Sequence, residues 1–152
     1  MNSIQRGAFA LYRYLIVLFA AACVVQIFLA GRGVFGIRSS STSKTVDKFF
    51  EDQKSLDPHR ALGEILGLVA VIMFLTALVV WRDRRLIAWT FGLAVATEVL
   101  QHAFAVPTQP WVAGLHPVTG FAILASAGYV ARDAWRGSRA PSTAAVAVPS
   151  SA

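Results

Sequence analysis

Residues 61–81 read ALGEILGLVAVIMFLTALVVW, a run of apolar side chains interrupted by one charge, Glu64. A segment of about 20 apolar residues is the length an α-helix needs to cross a hydrocarbon core. Three further blocks flank it: Ala8–Ala30, whose one charge is Arg13, Leu86–Val106, and Val118 to about Trp135. None shows the alternation of a membrane β-strand, so a barrel is excluded. The 152-residue chain is 56% hydrophobic and 14% charged. A soluble domain carries about 25% charge, so a solvated shell around a single core does not fit. The expected fold is all-α: an integral membrane four-helix up-down bundle over residues 1–136, with spans at about 8–30, 61–81, 86–106 and 117–135.

The first block competes with a secretory signal, because Arg6 and Arg13 precede it and Ala20-Ala21-Ala22-Cys23 resembles a poor lipidation site. The apolar run continues through Val24–Ala30, too far for a signal core, and reads as a retained helix. Cys23 is the only cysteine, which leaves neither an intramolecular disulfide nor a thiolate metal cage.

The connections set the orientation. Fourteen Lys and Arg against eight Asp and Glu give +6. In a membrane protein this excess is a topology signal, and no nucleic-acid partner is expected. Residues 81–85 (WRDRR) are basic, 107–115 carry no charge, and Arg132, Arg136 and Arg139 follow the last block. Both termini are therefore expected in the cytoplasm. The first outer loop, Gly31–Asp57, begins with the linker-like Ser39–Ser43. It then sets Val46, Phe49, Phe50 and Gln53 at helical spacing, which predicts a short interfacial helix. Residues 137–152, rich in Ser, Ala and Pro, read as a disordered tail.

Three groups of residues bear on chemistry. Asp57-Pro58-His59-Arg60 opens the second span with a capping Asp and a first-turn Pro, and Arg60 is placed to reach Glu64. His116-Pro117 opens the fourth span in the same way. Both histidines start helices that run from outside to inside, so they lie at similar depth, and the second and fourth helices of an up-down bundle are diagonal. Two imidazoles reaching inward there would suit the axial positions of one haem b, with Arg60 beside a propionate and Phe49 and Phe50 covering the edge. The third span carries Thr97, Glu98, Gln101 and His102 on one face, expected to turn inward. Glu98 and His102 at i, i+4 suit a proton relay or metal ligation, or else interhelical bonding to Gln26. The pairs Gly63-xxx-Gly67 and Gly92-xxx-Ala96 predict close helix contact. No P-loop, dinucleotide fingerprint or nucleophile–base set is present, so an enzyme is not the first reading.

The segments 26–35 (QIFLAGRGVF), 59–63 (HRALG) and 115–120 (LHPVTG) resemble those of a family of small four-helix bacterial membrane proteins, a domain of unknown function. The resemblance covers residues from about 9 to 135 and implies no activity. His59-Arg60 and His116 are also similar in placement to the ligating histidines of one half of haem A synthase. That similarity implies haem binding at the outer ends of the second and fourth helices. The loop here lacks the cysteine pair of many of those enzymes, and Glu51 is its only glutamate. Three functions follow as expectations: an accessory or interaction role with a membrane protein partner, haem-based electron transfer with a redox partner, and transport or metal handling at Glu98 and His102.

Overall fold

The computed structural model describes residues 1–40, 54–80, 84–105 and 110–136, with backbone alone for 36–40 and 110. All regular structure in them is helical. Helix α1 spans Ser3–Ser40, α2 Asp57–Val80, α3 Arg84–Val95, α4 Gln101–Ala105, α5 Pro110–Ala113 and α6 Leu115–Arg136. A 3₁₀ turn, Lys54–Leu56, leads into α2. Between α3 and α4, Ala96–Leu100 form a π turn. Val95 and Gln101, on either side of it, keep right-handed helical dihedrals, so the backbone winds on from Arg84 to Ala105.

Three helical stretches are long and apolar enough to cross a membrane: Ser3–Phe35, Lys54–Val80 and Trp111–Arg136. Helix α1 packs on α2 and α6, and α3 packs on the same two, which leaves α2 and α6 diagonal across the bundle. The buried residues explain the arrangement. Tyr12, Ile16, Phe19 and Cys23 on α1 alternate steps of four and three, as do Leu66, Ala70, Met73, Ala77 and Val80 on α2 and Ile123, Ala127, Val130 and Ala134 on α6. This is the seam that gives near-parallel helix packing. Thr76, Thr90 and Thr97 are buried too, each hydroxyl donating to a carbonyl one turn back. The outer surface is apolar as well, with Leu18, Phe28, Leu68 and Val118 exposed. A bundle that is apolar inside and outside is built for lipid.

At the basic end, the Arg13 guanidinium lies 3.8 Å from the Trp135 ring centre, and Tyr14 meets the same indole edge-on. Arg85 hydrogen-bonds the Tyr129 hydroxyl, and that ring leans on Trp89. These clusters suit an aromatic belt with snorkelling cations.

Three expectations change. The first helix does not stop at Ala30: it continues through Gly31, Arg32 and Gly33 to Ser40, at about 1.5 Å per residue well beyond a bilayer's thickness. Its overrun is braced by the start of α2. The Ser55 hydroxyl donates to the Gly33 carbonyl at 3.0 Å, and Leu56 packs where a side chain at Gly33 would sit. Ser39 and Ser40 thus lie in α1 rather than in a linker. The fourth helix starts at Leu115, with His116 and Pro117 inside its first turn and the one-turn α5 before it. Finally, Gly92 faces open space rather than a neighbouring helix. The interfacial helix expected over 46–53, with Phe49, Phe50 and Glu51, and the tail 137–152 lie outside the described residues.

Candidate functional site

The hydrophobic seam ends near Cys23 and Leu66. Beyond it, toward Asp57 and Leu115, the centre of the bundle is polar. His59 and His116 come from the diagonal helices α2 and α6, and their ring centroids are 6.0 Å apart with planes crossed at 74°. The equal depth expected of them is what brings the rings together.

Each histidine is held by a glutamine of the preceding long helix. Gln26 Nε2 donates to the His59 carbonyl at 2.8 Å, while His59 Nδ1 lies 3.2 Å from the Gln26 carbonyl. Gln101 Nε2 donates to the His116 carbonyl at 3.2 Å, while His116 Nδ1 lies 3.1 Å from the Gln101 carbonyl. A carbonyl only accepts, so both Nδ1 atoms carry a proton, which in a neutral imidazole leaves the lone pair on Nε2. One turn along each helix is a glycine. A Cβ at Gly63 would stand 3.2 Å from Gln26 Nε2, and one at Gly120 would stand 3.3 Å from Gln101 Nε2. The two halves of the chain thus repeat one device: a glutamine, a histidine, and a glycine four residues after it. Gln26 Oε1 is left buried without a hydrogen-bond partner.

The polar stripe on the third span behaves differently from expectation. Its members diverge, because adjacent residues on a helix point about 100° apart. Thr97 is buried, Gln101 turns to α6, and His102 turns to α2. His102 does not face the interior, since 51% of its side chain is exposed. Its Nδ1 lies 2.7 Å from the Glu98 carbonyl on its own helix, and its Nε2 lies 3.2 Å from Glu64 Oε1. Gln26 belongs to His59 and not to the Glu98–His102 pair. The Glu98 carboxylate rests against α2 at Gly67, where a Cβ would collide with it. Gly63 and Gly67 therefore make room for an amide and a carboxylate rather than for a helix backbone. Arg60 pairs with Asp57 at 3.3 Å, on the exposed side of the helix start. Among the described residues, no three His, Cys, Asp or Glu side chains converge to hold a metal ion.

His59 and His116 come together as their shared depth suggests, whereas the contact of Glu64 with His102 and the glutamine clasps have no counterpart in the sequence reading. The four-residue spacing of His59 to Gly63 and of His116 to Gly120 was the available signal.

Residues 49–109 match the sequence model of a family of unknown function (DUF6220). The matched range holds His59, Glu64, Glu98, Gln101 and His102, while Gln26 and His116 lie outside it. No curated protein and no solved structure matches the chain. The similarity to haem A synthase therefore gains no support from them.

Proposed function

We propose that this protein is a four-span membrane bundle that holds one b-type haem between His59 and His116 and carries single electrons. The observation that carries the reading is the paired geometry of the two imidazoles. A metal-bound histidine nitrogen sits about 2 Å from the metal. The ring centre lies roughly 1.1 Å behind it, given ring bonds of about 1.33 Å. Two imidazoles on opposite sides of one metal thus have centroids ~6.2 Å apart, against the observed 6.0 Å. Tetrahedral ligation would bring them to ~5 Å. An edge-to-face ring contact alone also falls in this range. Both Nδ1 atoms are tied to carbonyls, as a part-buried imidazole requires and as a ligating histidine would use.

In this reading Gln26 and Gln101 orient the rings and fix their tautomers. Gly63 and Gly120 let the glutamine amides close on α2 and α6. Arg60, at the exposed end of α2, is placed to pair with a propionate. The haem supplies a reversible one-electron couple when bound. The chain's task is to hold it low-spin and near one membrane surface, within reach of a redox partner.

Haemin added to the purified apo-protein in detergent should bind to an end point of one per chain, with the absorption of a six-coordinate, low-spin iron. A linear, unsaturating response would overturn the proposal.

The four-span reading counts Arg84–Ala105 as a crossing helix and puts both chain ends in the cytoplasm, on the strength of the basic 82–85 connection. In a Cys23→Ser background, single cysteines replacing Ser41 and Thr108 should react with an impermeant thiol reagent on intact cells. One replacing Ser142 should not, and labelling there would reverse the topology.

A further inference from the structure

We propose that Glu64 and His102 form a proton-uptake site coupled to the bis-histidine centre. The proposal rests on the haem reading above. His102 Nδ1 faces the Glu98 carbonyl at 2.7 Å, so it must donate. Its Nε2 meets Glu64 Oε1 at 3.2 Å, and neither a bare imidazole nitrogen nor a carboxylate oxygen brings a hydrogen to that contact. One extra proton must lie between them, as imidazolium with carboxylate or as imidazole with carboxylic acid. Either way the pair is neutral only while it holds that proton.

Its surroundings make neutrality matter. The Glu64 side chain is 74% exposed and that of His102 is 51% exposed, both on the outside of the bundle. Glu64 lies about 10 Å along the helix axis from Asp57. An unneutralised carboxylate on a lipid-facing surface is costly. The pair is nevertheless shallow enough for water at the headgroups to supply and accept its proton. Among the described residues, the charged groups facing it are few. Glu98 approaches from the π turn, with its carboxylate against Gly67. On α2, Arg60 and Asp57 are bonded to each other. His59 and His116 stand on α2 and α6, and Arg32 on α1 lies at the level of the 3₁₀ turn. Helix α5 contributes no ionisable side chain.

The link to the ring pair is one hydrogen bond and one peptide group. His116 Nδ1–H donates to the Gln101 carbonyl, and that carbonyl is half of the peptide group whose nitrogen belongs to His102. On the other side, His59 and Glu64 lie on the same stretch of α2. One electron, delivered by a one-electron reductant, lowers the charge at the bis-histidine centre by one. That change favours a proton on Glu64–His102, which is drawn from water; reoxidation releases it. The midpoint potential should therefore fall as pH rises. A tenfold change in proton concentration moves a one-electron, one-proton couple by about 59 mV.

The test is a mediated redox titration of the haem-loaded protein at a series of pH values. Wild type should show a range in which the potential falls with pH, approaching the one-proton slope. Glu64→Gln and His102→Ala should flatten it while leaving the low-spin spectrum unchanged. In the same samples, the reduced-minus-oxidised infrared spectrum should carry a carboxyl or imidazole band that both variants lose. A flat wild-type profile, or variants that keep both slope and band, overturns this inference and leaves haem binding standing. A folded chain that takes up no haem overturns both.

Discussion

Replacing His116 with alanine should remove the six-coordinate haem spectrum, and replacing His59 should do the same, because each ring would fill one axial position and no other histidine stands within the site. His102, the third and last histidine, is committed to Glu64 and to its own helix. Disturbing the groups around a ligand typically costs 10–100-fold in affinity. Removing the ligand itself should cost at least about a hundredfold and leave any residual complex high-spin. Haemin titrations of the three alanine variants check this: His59→Ala and His116→Ala should lose the low-spin bands, and His102→Ala should keep them. Equal retention in all three would mean that the ring pair is a packing contact.

The second large effect separates the inside of the bundle from its lipid-facing surface, using one residue type on one helix. Phe19 is 1% exposed and Phe28 is 68% exposed, both on α1. Phe19 lies in the seam with Ile16 and Cys23 and with the buried residues of α2 and α6. Phe19→Ala should open a cavity and cost about 3–5 kcal/mol. In a bilayer the loss is of dispersion contacts rather than of water exclusion, since lipid tails are as apolar as the core. Phe28→Ala exchanges one lipid contact for another and should stay within about 0.5 kcal/mol. Thermal unfolding in detergent, read by a thiol probe reacting with buried Cys23, compares the two. Equal costs would show that the faces of α1 are assigned wrongly.

The four apolar segments were plain in the sequence because a bilayer imposes a length and a composition that few other environments demand. The diagonal placement of His59 and His116 was legible for a related reason: two helix starts of the same polarity share one depth. Other features depend on how helices rotate against each other, which no single segment records. The glutamine clasps need Gln26 to face α2 and Gln101 to face α6, and nothing in either segment announces that. The π turn at Ala96–Leu100 has no side-chain signature, and the sequence does not say that Gln101 meets one neighbour and His102 another. Gly31 and Gly33 read as a helix end, but Ser55 and Leu56 close over that stretch and α1 runs on. Gly63 and Gly67 read as helix-contact glycines, because their pattern does not distinguish a neighbouring backbone from a neighbouring amide or carboxylate.

The central claim is that two clasped imidazoles from diagonal helices hold one haem. The most direct measurement is the reduced-minus-oxidised absorption spectrum of the full chain, purified in detergent from cells with ample haem. The account predicts the sharp bands of a low-spin, bis-histidine b-type haem, at one haem per chain. A well-folded, colourless protein with no such bands would contradict it.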